Sequence, residues 1–326
     1  MSPRSSGIAH AWLVAGLILL AAWLLVGIGT ALATSGHLAD ASSYGAAVDR
    51  WLSGASPYSA EQLSGPHTLG NAVGGVGFVY PPAALVLFLP LGLGFEVTLL
   101  WVLLIHATFV AVAFLIARRE LAGMPLAAPL VALVAALALP GLNEGIRFGN
   151  ASALIAALVG AMWLVPHYAA SLAVLAGAIK VFPVIGAGWA VRWGDAIRPA
   201  VVLGVTLLLI SQLVGVERWF EWVTAMTTAV PSCPEWALVS LECATGSSLP
   251  GWILAAVLFA GSVSAPSRTI GFFLMSVAMI APAPDLYQHY TLIPFVGVIP
   301  VACEAARWAA AQVSSRSPSR LATAAP

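Results

Sequence analysis

Apolar stretches long enough to cross a lipid bilayer recur along most of this 326-residue chain. A membrane-spanning helix needs roughly 17–25 such residues. Only 8% of the residues are charged and 60% are hydrophobic, whereas an average soluble domain is roughly 25% charged. The sequence therefore predicts an all-α, polytopic integral membrane protein, and it excludes a soluble globular domain, a disordered chain and a nucleic-acid binder with a basic face. The predicted spans lie at about 9–34, 95–117, 124–140, 151–166, 199–216, 249–264, 269–283 and 290–306.

Two further apolar segments, 79–93 and 168–191, are interrupted by prolines. We expect 79–93 to dip into the outer face of the membrane and 168–191 to form a hairpin of two short helices, which gives about ten membrane helices in all. Nine of the twelve arginines then fall on the cytoplasmic side and most acidic residues fall outside. Because basic residues collect in cytoplasmic loops, we prefer this topology to one in which both segments are full spans.

The same topology places two long loops, 35–78 and 217–248, on the external side. The second loop contains Cys233 and Cys243. On an oxidising face these cysteines either form a disulfide or remain two free thiols, and the sequence leaves both alternatives open.

Lys180 and Asp40 are the charged residues whose positions most need an explanation. Lys180 is the only lysine and has at least ten apolar residues on either side. An ionisable group at membrane depth usually faces a cavity or a partner, so we favour anion binding over a structural ion pair. Asp40 follows the first span, where an aspartate by itself is no more than a helix cap.

Two other polar segments fall on the external face. Residues 143–150 are predicted to be a loop between two helices that contributes polar groups to a site. The alternative is that Glu144 and Arg147 only form an ion pair on the surface. Residues 285–290 lie at the start of the last span and could also contribute to a site. The alternative is that their aromatic side chains only form part of the aromatic belt at the membrane surface. Taken together, these segments predict a cavity with one carboxylate and several anion-binding groups, which could hold a lipid-linked phosphate while the carboxylate activates a second substrate.

The order of short motifs along the chain is also informative. The elements are Asp40 with Tyr44, Gly54-Ala55-Ser56-Pro57-Tyr58, Tyr80-Pro81-Pro82, Gly149-Asn150-Ala151-Ser152, Gly177-Ala178-Ile179-Lys180-Val181-Phe182-Pro183, Gly246-Ser247-Ser248 and Gln288-His289-Tyr290. This ordered set resembles the polyprenol-phosphate-mannose-dependent α-mannosyltransferases of the GT-C superfamily, glycosyltransferase family 87, over about residues 37–300. Asn150 and Ser152 depart from the family's Gly-Gln-x-Asn element.

The resemblance implies a GT-C-like enzyme that transfers a sugar, mannose in that family, from a polyprenyl phosphate to an extracytoplasmic glycolipid or glycan acceptor. Transfer would invert the donor and form an α linkage. It implies no certain cofactor, no metal site, and a transfer that is either metal-independent or only weakly dependent on a divalent metal. By the resemblance Asp40 would be the general base, and the donor phosphate or sugar would be bound by Lys180, Arg147, His289, Tyr80, Tyr44, Glu144, Asn150 and Tyr290.

The resemblance also implies an organisation and a location. Residues 1–216 would form the catalytic membrane module, 217–248 an external loop, 249–308 the C-terminal membrane helices and 309–326 a disordered cytoplasmic tail. The expected location is the plasma membrane, with the active site facing outward. The expected partners are membrane lipids, the polyprenyl-phosphate-linked sugar and its acceptor, and no nucleic acid.

Two other functions fit parts of the pattern. A transporter or flippase for a lipid-linked or anionic substrate would also use a buried lysine and proline-broken helices, although no internal repeat is visible between the two halves of the chain. A catalytically inactive scaffold for cell-envelope enzymes is the third alternative.

Overall fold

The computed structural model describes residues 38–68, 77–121, 140–193, 197–235 and 237–315, together with residue 138 and scattered helical positions between 15 and 33. The predicted spans 9–34 and 124–140 lie largely outside these described residues. The conclusions below therefore concern the remaining helices and the segments that connect them.

The described part of the chain is mostly helical, as the composition predicts. Its one sheet is a two-residue parallel pair formed by β1 (His67–Thr68) and β2 (Ala229–Val230). The helices are α1 (Ala39–Leu52), α2 (Ala60–Ser64), α3 (Pro82–Phe88), α4 (Phe95–Glu120), α5 (140–148), α6 (Ser152–Leu164), α7 (Ala169–Ile179), α8 (Gly186–Arg192), α9 (Ile197–Ser211), α10 (Glu217–Thr227), α11 (Leu241–Thr245), α12 (Leu249–Ser264), α13 (Arg268–Ala278) and α14 (Leu292–Ser315).

The apolar helices differ in length. Among the described residues, Phe95–Glu120 and Gln288–Ala309 are long and apolar enough to cross a membrane. The other apolar helices have 10–17 residues, although most coincide with predicted spans. They are shorter than predicted because turns interrupt the apolar sequence before a full membrane thickness is reached.

Both proline-marked segments are broken, as predicted. In the first, helix α3 begins with two prolines and is followed by the 3₁₀ turn Leu89–Leu93. In the second, Lys180 has extended backbone between α7 and the 3₁₀ turn Phe182–Ile185, and α8 follows and packs back against α7. A proline cannot donate the hydrogen bond that would continue a helix, so these breaks follow directly from the sequence.

Two predictions about local structure were wrong. Residues 143–150 do not form a loop, because 140–148 are helical and the turn comes at Gly149. The apolar residues of this segment face the core and outweigh its charged residues. The predicted disordered tail also starts too early, because α14 continues through Ser315, and residues 316–326 lie outside the described residues.

Helices α4, α6 and α14 pack against one another and connect two ends of the molecule. Helix α4 has 26 residues and is therefore about 39 Å long. Helix α6 begins next to Asn150 and ends at Leu164. Two polar clusters lie at opposite ends of α6 in this helical unit, one beside Asn150 and the other beside Trp163 and Leu164.

One end is closed by a cluster that we call the arginine–tryptophan cluster. Arg268 lies over the ring of Trp163, 4.2 Å from its centroid, and donates to the Trp163 carbonyl at 2.9 Å. Glu120 accepts from the Trp163 indole at 3.0 Å and from Arg307 at 3.1 Å. Arg119 donates to the Leu164 carbonyl at 2.9 Å. These bonds satisfy carbonyl groups at the end of α6, which the helix itself leaves unpaired.

The other end is built from the two long loops. Helix α1 packs on the 3₁₀ turn 89–93, where Gly45 allows close approach because an added Cβ would lie 2.9 Å from the Leu91 carbonyl oxygen. The loops are joined by the β1–β2 pair and by a hydrogen bond of 2.8 Å from Ser56 to Glu221. The candidate site lies beneath this joined structure.

Candidate active site

Asp40 is positioned by the turn that leads into α1. Leu38 has a left-handed backbone (φ 56°), and its N–H donates to the carbonyl of Arg147 at 2.7 Å. This bond holds the first turn of α1 against the end of α5. Asp40 lies in that first turn, where the helix N-terminus favours a negative charge.

Asn150 is the direct partner of Asp40. The Asn150 Nδ2 donates to Asp40 Oδ2 at 2.5 Å and to the Tyr44 hydroxyl at 3.3 Å. The Asn150 Oδ1 accepts from the backbone N–H and the hydroxyl of Ser152, at 2.8 and 2.7 Å. Because a backbone N–H can only donate, these bonds fix the orientation of the amide, with its donors toward the carboxylate.

Gly149 makes this arrangement possible. Its backbone is left-handed (φ 69°), and an added Cβ would lie 2.6 Å from the Cβ of Ala41. Only glycine adopts this conformation without strain and also lets α1 approach this closely. Asn150 and Ser152, which follow this glycine, form a compact unit in which the Ser152 hydroxyl and backbone N–H donate to the Asn150 side chain.

The surroundings of Asp40 raise the pKa of its carboxyl group above the ordinary value. Burial is the main cause, since it disfavours the charged form, and nearby Glu144 acts in the same direction. Nearby His289, the hydrogen bond from Asn150 and nearby Lys180 oppose the increase. A carboxylate with a raised pKa is a better proton acceptor than one in water, and Asp40 is still partly accessible.

Tyr44 and Tyr80 form a buried aromatic wall beside Asp40. Their hydroxyl groups are 2.7 Å apart, and Tyr44 stacks on Phe88 with ring centroids 4.5 Å apart. Burial raises the pKa of the Tyr44 hydroxyl well above its usual value, so it remains a neutral donor and acceptor. Sugars bind well to surfaces that combine flat apolar rings with hydroxyl groups.

Lys180 reaches the same place from the break after α7. Its Nζ donates to the hydroxyl of Tyr290, lies 3.7 Å from the centroid of the Tyr290 ring and is 5.8 Å from that of Tyr80. Lys180 is partly accessible, and the described residues include no ion pair to it. We call Asp40, Tyr44, Tyr80, Asn150, Lys180 and Tyr290 the Asp40 cluster.

His289 and Glu144 form a pair next to the Asp40 cluster. Glu144 Oε2 accepts from the His289 backbone N–H at 2.7 Å and lies 2.9 Å from His289 Nδ1. The Nε2 atom of His289 is buried and has no hydrogen-bond partner among the described residues. Glu144 thus pairs with His289, and the predicted alternative of a surface pair with Arg147 is wrong because the Glu144 carboxylate is taken up by the His289 backbone and ring.

Arg147 is the predicted site residue that lies apart from the Asp40 cluster. Its side chain is exposed, and its guanidinium group lies 5.4 Å from the centroid of the Phe148 ring. Only its backbone carbonyl contributes to the site, through the bond to Leu38.

An apolar groove of about 330 Å³ lies beside Lys180. Its walls come from α3, α7, α9 and α10, and its lining residues are almost entirely apolar. They are Pro81, Ala83, Val174, Gly177, Ala178, Val181, Gly204, Leu207, Leu208, Trp219 and Trp222. Pro81 and Val181 are the chain neighbours of Tyr80 and Lys180, so the groove adjoins the Asp40 cluster.

Asp285 is a positioning residue that the sequence did not reveal. Its carboxylate accepts from the backbone N–H and the hydroxyl of Ser232, at 3.0 and 2.9 Å, and from the N–H of Cys233 at 2.9 Å. Cys233 and Cys243 form a disulfide. These bonds fasten the loop after α10 to the segment that carries His289. The surrounding serine and backbone donors gave no recognisable sequence pattern.

Side chains of metal-binding type come together at one place in the described part of the chain, at Cys233, Cys243 and Asp285. Both sulfurs are used in the disulfide, and both carboxylate oxygens accept hydrogen bonds from the loop. Metal ligands need free lone pairs and deprotonated thiols, so this group is better explained as a structural tie.

Comparison with known proteins supports the resemblance found in the motifs. Residues 78–283 match the model of glycosyltransferase family 87. No curated protein and no solved structure matches the chain. The matched region contains Tyr80, Asn150 and Lys180, and it covers more than half of the chain. The family match and the two long apolar helices together indicate a membrane enzyme. The family match also favours sugar transfer over transport. The chain therefore belongs to glycosyltransferase family 87 and is a glycosyltransferase.

Proposed function

We propose that this glycosyltransferase moves a mannosyl group from a polyprenyl phosphate to a hydroxyl group of an extracytoplasmic glycolipid or glycan. The observation that carries the proposal is that one accessible carboxylate, Asp40, and one accessible cation, Lys180, lie in the same cluster. A base for the acceptor and a counter-charge for the leaving phosphate are the two groups that this reaction needs.

In the proposed reaction Asp40 takes the proton from the acceptor hydroxyl. The acceptor oxygen bonds to the anomeric carbon while the bond from that carbon to the phosphate oxygen breaks, and its electron pair leaves with the polyprenyl phosphate. Attack from the side opposite the phosphate inverts a β-linked donor into an α-linked product. A positioned base typically contributes about 10²–10⁴-fold to such a step.

Lys180 would stabilise the negative charge that develops on the leaving phosphate. A cation fixed in a site with little water stabilises such charge more strongly than it would in solution. His289 has a buried and unpartnered Nε2 atom and is held by Glu144 on its other side, so it would contribute a second donor. Tyr44, Tyr80 and Tyr290 would line the sugar pocket, and Asn150 would hold the base.

The apolar groove supports a lipid-linked donor. A polyprenyl chain is a hydrocarbon, and burying each of its CH₂ groups is worth about 0.8 kcal/mol. The groove is lined by Val181, the chain neighbour of Lys180, so a chain in the groove would bring its phosphate toward the cation. A nucleotide sugar would have no use for such a groove.

The distribution of charge supports a multi-pass topology with the Asp40 cluster outside. The arginine–tryptophan cluster lies at the far end of α4 and α6 from Asp40. Because arginines mark the cytoplasmic side, the Asp40 end would face outward. The acceptor would then be part of the cell envelope.

The proposal is tested with Asp40→Asn in membranes supplied with radiolabelled polyprenyl-phosphate mannose. The substitution keeps an oxygen for Asn150 but removes the base, so we expect transfer to fall by about 10²–10⁴-fold. The matched control is Asp49→Asn, the same change at an exposed position of the same helix, which should retain normal transfer.

Two results would contradict different parts of the proposal. Wild-type transfer by Asp40→Asn would refute the role of the base. Transfer from polyprenyl-phosphate glucose but not from the mannose donor would leave the mechanism intact and refute the sugar.

A further inference from the structure

Helix α10 (Glu217–Thr227) has its polar and apolar sides in an inverted arrangement. In a water-soluble protein the apolar side of a surface helix faces the core and the charged side faces water. Here the charged side of α10 faces other protein segments, and an apolar stripe faces outward. This inversion needs a physical explanation.

The charged side of α10 bonds to the loop that follows α1. Arg218 donates to Glu221 at 2.7 Å and to the carbonyl of Gly54 at 3.3 Å. Glu221 accepts from the hydroxyl of Ser56 at 2.8 Å. Ala225, on the same side, is fully buried. The polar side chains are therefore used within the protein.

The opposite side of α10 is exposed, and it is apolar from its N-terminal end to Val223, with the exposed Thr224 and Thr227 beyond. Val216, Phe220 and Val223 are 53%, 71% and 49% exposed, and their spacing of four and three residues places them on one stripe. The stripe follows the apolar end of α9 and the turn after it, where Leu209 and Leu213 are 65% and 79% exposed. An exposed apolar surface of this kind marks a contact with lipid or with another protein.

Two features favour lipid over a protein partner. The stripe continues the surface of an apolar helix and is bordered by the exposed Glu217, as expected at the boundary between acyl chains and headgroups. In addition, Trp219 and Trp222 lie on the flank of the helix. The Trp219 indole donates to the Ser211 hydroxyl at 3.2 Å, and the Trp222 indole donates to the Val79 carbonyl at 3.3 Å. Tryptophan is enriched at this depth of the membrane.

We propose that α10 is an interfacial helix that lies in the plane of the leaflet on the Asp40 side, with the stripe of Val216, Phe220 and Val223 in the acyl region. Trp219 and Trp222 also line the apolar groove, so the helix forms a wall between the groove and the surrounding lipid. A lipid substrate would then reach the groove sideways, from within the leaflet. The inference requires a membrane protein, but it does not depend on the sugar, the acceptor or the role of Asp40.

The test uses an environment-sensitive fluorophore attached to Phe220→Cys in the full-length protein, reconstituted in phosphatidylcholine vesicles. Cys233 and Cys243 form the disulfide and Cys303 is buried, so the new thiol is the accessible one among the cysteines. Glu217→Cys on the same helix is the matched control. We expect nitroxide-labelled lipid to quench the label at position 220 about threefold or more better than the label at 217, and aqueous iodide to show the reverse preference.

Equal quenching of both positions by iodide would overturn the inference, because the stripe would then face water. Protection of position 220 from both quenchers would also overturn it, because a protein partner would then cover the stripe. Val223→Cys provides a second position on the stripe if Phe220→Cys does not fold. Because no step of this test measures sugar transfer, its result is independent of the proposed reaction.

Discussion

The two ends of the helical unit both contain charged and aromatic residues, but they use them differently. In the arginine–tryptophan cluster, Arg268 and Arg119 bond to carbonyl groups at the end of α6, and Glu120 bonds to both an indole and a guanidinium group. In the Asp40 cluster, the carboxylate and Lys180 are partly accessible. Charges that are fully used within a protein stabilise it, whereas charges that still have capacity for a partner can bind or activate a substrate.

The contrast predicts that changes at one end affect catalysis and changes at the other affect stability. Each of the following experiments compares a substitution with a matched neighbour. The expected effects decrease from the first to the last.

The largest of these effects is expected for Asn150→Ala. The substitution removes the hydrogen bond to a charged partner, and such bonds contribute about 1.5–3 kcal/mol, so we expect kcat to fall by about 10- to 100-fold. Ser152→Ala is the control, because it removes a bond to the other side of the same amide and leaves the contact with Asp40. Single-turnover transfer measurements distinguish the two variants, and an equal loss in both would show that Asn150 acts only as a helix cap.

At the opposite end, Glu120→Gln should destabilise the protein without slowing the folded enzyme. The substitution removes the charge that pairs with Arg307, whose side chain is 47% exposed, and we expect a loss of about 0.2–1 kcal/mol in the free energy of unfolding. Glu304→Gln, an exposed position near the same end, should change little. Thermal unfolding in detergent, together with transfer rates normalised to folded protein, measures both quantities. A reduced rate with unchanged stability would contradict the division between the two ends.

The smallest effect concerns pH. Because the pKa of Asp40 is raised, kcat should fall as the pH is lowered through that raised value, when the base becomes protonated. The hydrogen bond from Asn150 lowers this pKa, so Asn150→Ala should move the acidic limb of the profile toward higher pH. An unchanged limb in the variant would show that another group controls the profile.

The raised pKa of Asp40 also determines how its ionisation changes the stability of the folded protein. A carboxyl group whose pKa is raised on folding favours the folded state when protonated, and this contribution is lost as the pH rises through the folded-state value. Ionised Asp40 therefore reduces stability at neutral pH, and Asp40→Asn should unfold at the same temperature as the wild type or at a higher one.

Much of the architecture was predictable because it depends on local composition. Apolar runs identified helices α4, α9 and α12 within a few residues, and prolines identified both broken segments. Lys180 was recognised because a charge among apolar residues is costly. The positions of Asp40 and Asn150 relative to each other were expected only from the resemblance, since they are 110 residues apart.

The errors have a common cause in the tertiary structure. Residues 143–150 contain glycines and charged groups that suggest a loop, yet packing of their apolar residues makes most of them helical. In the folded protein Glu144 contacts His289, whereas the side chain of Arg147 is exposed. Asp285 was missed as a positioning residue because its partners are backbone N–H groups and a serine hydroxyl, whose positions no sequence pattern specifies.

The bonds that define the site have a consequence for how the enzyme is made. Asp40 meets Asn150 across 110 residues, and Lys180 meets Tyr290 across another 110. Both contacts are long-range, and the second cannot form until the last helix begins to emerge from the ribosome. A growing chain that ends before residue 290 would contain Asp40 but not the complete Asp40 cluster. The cluster can therefore form only after Tyr290 has been synthesised, when the helices that precede it in the chain are already present.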